Sequence, residues 1–299
     1  MTSARIPGAR SALPPARSWS PTEDLLGFFG PDSVTWRVHG DPSYPVGGLR
    51  ALMLQTLHPV AMDGVARNSA AFQDEPWQRL VRTGQYVETI TFGTRTEARR
   101  LVSRIRGIHA RLGGTEETTG RTYRVDDPDL LLWVHHCEVD SWLSTARRAG
   151  LRLTAEDADA YVNEQVTAAS LIGAPRASVA RTVAELDAYF VGMRPLLTAT
   201  PAARDAVRRI LLPPMPGWVQ VLTPARPAWG GLAGLGFALL PGWARRMFSM
   251  PGSRATDLAA TAAVRAFRRG LISTPPRLRH SSTVRAAYDR VADAELVTA

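Results

Sequence analysis

The chain has 299 residues, of which 45% are apolar and 21% charged, as is typical of a globular protein with one large domain or two small ones. Its single cysteine excludes an internal disulfide and any cysteine-cluster metal site. The net charge is +9, and every basic side chain is arginine, so lysine Schiff-base chemistry and Walker-type phosphate loops are excluded. Because the arginines are scattered, we do not expect nucleic acid as the main partner.

Residues 1–20 combine arginine, proline and serine without an apolar run. A secretory signal needs an apolar stretch of roughly 7–15 residues after its basic start. We therefore expect a disordered tail over residues 1–20, one all-α domain over residues 21–299, and a cytoplasmic protein.

Helix signals dominate the rest of the chain, with proline or a capping residue at the predicted starts and glycine or proline at several ends. The predicted helices of the first half cover residues 45–57, 76–91, 94–112 and 126–150. In the second half, further helices are predicted to start near residues 154, 182 and 200 and to cover residues 231–240, 253–270 and 281–295. Strand signals are nearly absent, apart from a short extended piece at residues 121–125. The pattern predicts about ten helices.

The most apolar segment, Trp229–Trp243, contains five glycines and a proline and is too short to span a membrane. It is interpreted either as a helix packed against the core or as a lid over an apolar pocket, with a membrane-surface contact as the less favoured alternative.

The first candidate site residues lie on the helix predicted over residues 76–91. Arg79 and Thr83 are four residues apart and share one face, while Arg82 and Tyr86 share a neighbouring face. A guanidinium and a hydroxyl one turn apart can act as fixed donors to a bound anion or to dioxygen. The alternative is a solvated pair of arginines.

The second candidate is the pair Arg106 and His109. His109 lies beside an apolar helix face formed by Leu101, Ile105, Ile108 and Leu112. A neutral histidine that projects into an apolar interior is how a proximal haem ligand is held, and a nearby arginine can pair with a haem propionate. The alternative is a hydrogen-bonded core histidine.

Three further histidines are candidate site residues. His135 and His136 lie on the helix predicted over residues 126–150, and Asp140 lies one turn after His136, where its carboxylate can orient the imidazole. His58 precedes Pro59 at a predicted helix end, where it can cap carbonyl groups. No hydrolase, kinase, zinc-protease or dinucleotide-binding motif is present.

Five segments, taken in order, resemble one known family. They are Trp36–Asp41, Gln55–Pro59, Arg79–Thr83, Arg106–His109 and Trp133–His135. Together they are similar to the catalytic domain of the rubber oxygenases (latex clearing proteins) and the MpaB oxygenases, over residues 30–215. The resemblance implies an all-α fold with a globin-like core around haem b. It also implies dioxygen chemistry, typified by oxidative cleavage of carbon–carbon double bonds.

The resemblance also implies roles for particular residues. His109 matches the haem-iron ligand and Arg106 the arginine beside it, while Arg79 and Thr83 match an arginine and a threonine on the distal side. Arg82 stands where rubber oxygenases can carry a lysine; since arginine is a poor iron ligand, we expect the distal position to stay open. His58 and His135, which lie in matching segments, complete the predicted cofactor-binding residues.

The resulting hypothesis is a haem b-dependent oxygenase that acts with dioxygen, or with peroxide, on a soluble and mostly apolar small molecule. Two alternatives stay open at this point. One is a haem protein without turnover, such as a gas or haem sensor. The other is a helical binding protein without a cofactor, for which the net charge of +9 would favour DNA as the partner.

Overall fold

The structure is a computed structural model that describes residues 19–68, 76–116, 120–215 and 223–298. Its described part is mostly helical, which confirms the all-α fold class. The α-helices, numbered in chain order, are α1 (Pro21–Leu25), α2 (Val34–His39), α3 (Tyr44–Gln55), α4 (Pro59–Asn68), α5 (Pro76–Phe92), α6 (Arg95–His109), α7 (Pro128–Ala149), α8 (Ala155–Glu164), α9 (Val166–Ile172), α10 (Val183–Met193), α11 (Pro201–Leu211), α12 (Ala225–Ala238), α13 (Gly242–Met247), α14 (Arg254–Ile272), α15 (Pro276–Arg279) and α16 (Ser282–Thr298). Two antiparallel strands, β1 (Gly113–Thr115) and β2 (Thr122–Arg124), form the only sheet of the described residues.

The capping signals predicted several helix starts correctly. The side chains of Thr94, Thr154, Thr182 and Thr200 each accept a hydrogen bond from the backbone N–H three residues later, at the starts of α6, α8, α10 and α11. Helix α7 ends at Gly150, which adopts the left-handed conformation that favours glycine, with φ at 93°. Local capping chemistry therefore determines these boundaries.

Two predicted helix ends, at residues 57 and 112, differ from the observed ends at Gln55 and His109 by two and three residues. Helix α3 ends at Gln55 because Pro59 starts a separate helix, α4, which the sequence did not predict. Helix α6 ends at His109, since Gly113 belongs to a strand rather than to the helix end. A Cβ atom on Gly113 would lie 2.7 Å from the carbonyl oxygen of Tyr123, so the pairing of β1 with β2 requires glycine there. The short helices α1, α2, α9, α13 and α15 were also not predicted.

The core is centred on the packing of α3 against α7. A Cβ atom on Gly47 of α3 would lie 2.6 Å from Cδ1 of Trp142, so glycine allows the two helices to approach closely. Trp133 and Met53, both fully buried, lie in this core, and Trp133 Nε1 donates to the carbonyl oxygen of Gln55 at 3.0 Å. Helix α7 therefore has a fixed position, from which it lines the cavity described below.

The glycine-rich segment forms most of α12 and packs against α3. A Cβ atom on Gly236 would lie 3.1 Å from Cβ of Leu49, and Phe237 is buried in the core. Of the two interpretations of this segment, the structure places α12 as a packed helix rather than as a separate lid. None of the helices in the described ranges is long and apolar enough to cross a membrane.

Candidate active site

A large cavity is lined mainly by residues of α3 to α7 and of the β-hairpin, with smaller contributions from α2 and α9. Its volume is about 450 Å³, which lies within the range of about 300–1,000 Å³ that is usual for small-ligand pockets. Most of its wall is aliphatic, contributed by residues such as Leu52, Val60, Val65, Val87, Ile90, Ile105, Ile108, Leu112, Leu130, Leu131 and Val134. The cavity therefore has room for a mostly apolar ligand.

His109, the last residue of α6, lies in the cavity wall between Ile105, Ile108 and Leu112. Its Nδ1 atom is buried without a hydrogen-bond partner. Burial lowers the pKa of His109, while the charge of Asp126 opposes this shift. At neutral pH the imidazole is therefore uncharged, which is the form that binds a metal.

His135 of α7 lies in the wall of the same cavity. Its Nε2 atom is buried and has no hydrogen-bond partner. Burial, with a smaller contribution from His136, lowers the pKa of His135 to about 3, so this ring is also neutral. Buried polar atoms are normally hydrogen-bonded. His136 Nδ1, outside the cavity wall, is also buried without a partner, so it is their place in the cavity wall that makes His109 and His135 candidates for contact with a ligand.

Arg82 and Thr83 of α5 also line the cavity. Arg82 is exposed and Thr83 is half-buried, so Arg82 lies on the solvent side of the wall. The side chain of Arg79 lies outside the described residues, although its backbone belongs to α5. Tyr86, one turn after Arg82, contributes to the wall as well.

Thr83 also borders a second, smaller chamber with a volume of about 110 Å³. Six residues line both spaces, namely Leu52, Gln55, Ala61, Val65, Thr83 and Val134. The rest of the smaller chamber is largely apolar and includes Met62, Ile210 and Trp229. The two spaces are therefore neighbours across a wall in which Thr83 and Gln55 are the polar groups.

Two predicted cofactor-binding residues do not line the cavity. The Nη1 atom of Arg106 donates to the carbonyl oxygen of Leu171 at 3.2 Å, and the guanidinium lies against Gly173. His58 is buried, and its Nδ1 atom accepts from the backbone N–H of Ala61 at 3.2 Å. His58 therefore caps the start of α4, whereas the sequence had suggested a carbonyl cap at the end of the preceding helix.

His136 and Asp140 do not form the predicted pair. His136 Nε2 accepts from the backbone N–H of Ala180 at 3.1 Å, so its proton is on Nδ1, and burial lowers its pKa to about 4. Asp140 instead accepts from Nη1 of the buried Arg50 at 2.7 Å. The spacing of four residues places the side chains of His136 and Asp140 near one face of α7. The Asp140 carboxylate nevertheless pairs with Arg50 of α3.

The sequence analysis missed Glu138, one turn after His135. Glu138 lines the cavity, and its Oε1 atom lies 3.4 Å from Nε2 of Gln55. Burial raises the pKa of this carboxyl group to about 7, against a smaller lowering by Gln55. A single glutamate among the apolar residues of α7 is the signal that would have identified it. Across the described ranges, no group of three or more histidine, cysteine or acidic side chains is arranged to hold a metal ion.

A comparison with protein-family models matches residues 36–270 to the family described as "ER-bound oxygenase mpaB/B'/Rubber oxygenase, catalytic domain". The match includes every described residue of the cavity wall. No curated protein and no solved structure matches the chain. Because the family description mentions ER-bound members, the cytoplasmic location stays a prediction.

Proposed function

Because the chain belongs to the family of mpaB/B' and rubber oxygenase catalytic domains, we propose that it is a haem b-dependent oxygenase. Its substrate in this proposal is a soluble, mostly apolar small molecule, oxidised with dioxygen or peroxide. Family membership supports the oxygenase activity. The haem and the class of substrate are supported by the chemistry of the cavity.

The single observation that carries the haem proposal is the unpartnered Nδ1 atom of His109 in the wall of a mostly apolar cavity of about 450 Å³. A macrocycle with a large apolar face and one metal needs this combination of a wide apolar space and a neutral nitrogen ligand. The residues present therefore fit haem b.

In this proposal His109 would be the protein ligand of the haem iron. Arg82, exposed on the cavity wall, would pair with a propionate group, since an arginine can bind a carboxylate through two hydrogen bonds. The bound haem would supply the oxygen-activating chemistry, while the protein supplies placement and polarity. Arg79 and Thr83 stay the predicted hydrogen-bond donors of the distal side.

The smaller chamber is the proposed substrate site. Its wall is largely apolar, and it adjoins the large cavity at Thr83 and Gln55. An apolar molecule that enters this chamber loses its contact with water, which favours binding by about 25 cal/mol per Å² of apolar surface. Thr83 and Gln55 would then orient its reacting end toward the large cavity.

The test is the absorption spectrum of the purified protein, followed by oxygen uptake with a panel of apolar substrates. We expect a Soret band and substrate-dependent oxygen consumption. A haem protein that consumes no oxygen with any substrate would favour the sensor alternative. A colourless protein that does not take up added haem would overturn the haem proposal, and a steep salt dependence of DNA binding would then favour the cofactor-free alternative.

A further inference from the structure

Glu138 differs from Asp140 of the same helix because it has no cationic partner among the described residues. Asp140, half a turn away, is paired with Arg50, whereas the one hydrogen bond recorded for Glu138 comes from the amide of Gln55. That amide also donates to the carbonyl oxygen of Val134 at 3.3 Å, so the donor is shared. A negative charge at Glu138 is therefore poorly stabilised.

The titratable groups that surround Glu138 do not compensate its charge. From three other helices, Tyr44, Tyr86 and Tyr161 interact electrostatically with Glu138, and so does Cys137 on its own helix. Burial raises the pKa of all four, so each is neutral near pH 7. The cavity wall also contains Arg82, His39, His109 and His135, and the three histidines have lowered pKa values.

Glu138 nevertheless lies in the wall of the cavity where a ligand would bind. A carboxyl group in these surroundings keeps its proton at a pH at which an ordinary glutamate has lost it, and its pKa of about 7 is near the value that suits proton transfer at neutral pH. Perturbed carboxyl groups in clefts are enriched at functional sites. Glu138 is thus a group of this cavity wall that can both give and accept a proton near neutral pH.

We propose that Glu138 is the proton-transferring residue of this cavity. In the resting protein it is a carboxylic acid; it gives its proton to an oxygen atom of the bound ligand, becomes a carboxylate next to the Gln55 amide, and regains a proton from water. This inference rests on the proposed oxygenase function only for the identity of the ligand. The proton transfer requires no charged partner for Glu138. Over one cycle the number of protons bound by the protein does not change.

The first test is the infrared difference spectrum of the purified full-length protein between pH 5.5 and 8.5, in the carbonyl-stretch region of protonated carboxyl groups. We expect the wild-type protein to show a band that disappears with a midpoint near pH 7, because ordinary glutamates titrate at about pH 4.3. Glu138→Gln should lack this band, and Glu138→Asp should keep one at a shifted frequency.

Glu88 provides a matched control: burial also raises the pKa of this half-buried glutamate, and Ser281 donates a hydrogen bond to it. Glu88→Gln should retain the Glu138 band.

The second test is the pH dependence of substrate oxidation by the same variants. Loss of a general acid–base group typically lowers the rate about 10²–10⁴-fold, so Glu138→Gln should lose that activity together with the pH-dependent limb near 7, while Glu138→Asp recovers part of both. A wild-type protein without the infrared band, or a Glu138→Gln variant with unchanged rate and pH profile, would overturn the proposal. If the wild-type protein consumes no oxygen at all, the proposed oxygenase function fails, while the infrared result still decides whether Glu138 holds the proton.

Discussion

Helix α7 carries two groups of polar side chains that differ in where their partners are. On the side that faces α3, Asp140 and Ser141 accept hydrogen bonds from the buried Arg50, which also donates to the carbonyl oxygen of Leu239. On the side that faces the cavity, His135 has an unpartnered ring nitrogen and Glu138 has no cationic partner among the described residues. One helix therefore separates a satisfied polar network from an unsatisfied one.

We interpret this difference as a division of roles. The polar residues around Arg50 stabilise the fold, and those of the cavity wall would contact a ligand. Burial of a polar group without a partner costs free energy, so such groups are rare unless a ligand completes them. The network of Arg50 connects three helical regions and is complete within the protein. We infer that substitutions in that network change stability, whereas substitutions in the cavity wall change ligand binding and pH dependence.

The largest effect on stability is expected from Asp140→Ala. This change leaves the Arg50 guanidinium, whose side chain is 3% exposed, without its carboxylate. Removal of one partner of a buried ion pair costs about 3–5 kcal/mol, and urea unfolding of the two proteins measures the difference. As a control, Asp205→Ala removes the exposed partner of Arg209, which should cost less than about 1 kcal/mol. Equal effects of the two changes would contradict the distinction between the two networks.

The next effect is a pH dependence of stability from Glu138. Its pKa is raised from 4.5 to about 7 in the folded protein, so the folded state binds more protons than the unfolded state between these values. Protonated Glu138 therefore contributes to the free energy of unfolding below pH 4.5. This contribution is lost as the pH rises to 7, which lowers the free energy of unfolding by up to roughly 3 kcal/mol.

Urea midpoints of the wild type and Glu138→Gln, measured at pH 5 and pH 7.5, isolate this contribution. The wild type should lose stability relative to the variant at the higher pH. The buried histidines act in the opposite direction: their pKa values are lowered, so their contribution is lost as the pH falls below about 6.5. Because both proteins contain these histidines, their effect cancels in the difference, and a difference that does not change with pH would refute the assignment.

A smaller effect should distinguish the two faces of α12. A methyl group at Gly236 meets Leu49 and the backbone of Arg50 at 3.1–3.3 Å, so Gly236→Ala should destabilise the protein by about 1–3 kcal/mol. At Gly231 a Cβ atom has nothing within 4 Å, so Gly231→Ala should stabilise the same helix by up to about 1 kcal/mol. The melting temperatures of the two variants, measured by thermal unfolding, give both changes in stability. An unchanged melting temperature in Gly236→Ala would restore the interpretation of this segment as a mobile lid.

The sequence predicted the parts of the molecule that local chemistry determines. The caps at Thr94, Thr154 and Thr182, the proline start of α5 and the glycine end of α7 were all correct, because each depends on residues within one turn. Helix α4 was not predicted, since its start depends on a histidine ring that acts as the cap.

The sequence identified only some of the residues that line the cavity, for a different physical reason. Helical spacing placed His109 beside an apolar face, and the resemblance to a family selected it, together with Thr83, Arg82 and His135, all of which line the cavity. Spacing gives no information on tertiary partners. It therefore paired Asp140 with His136 instead of Arg50, and it did not reveal that Glu138 faces the cavity without a cation.

The haem-to-protein ratio of purified variants tests most directly the central proposal, in which His109 holds a haem in the cavity. In the same proposal, buried histidines outside the cavity stabilise the fold. His109→Ala should remain folded and contain little haem. His136→Ala, which removes the acceptor of the Ala180 N–H, should lose stability but keep its haem while folded. A full haem content and an unchanged Soret band in His109→Ala would contradict the claim, as would loss of haem from His135→Ala alone.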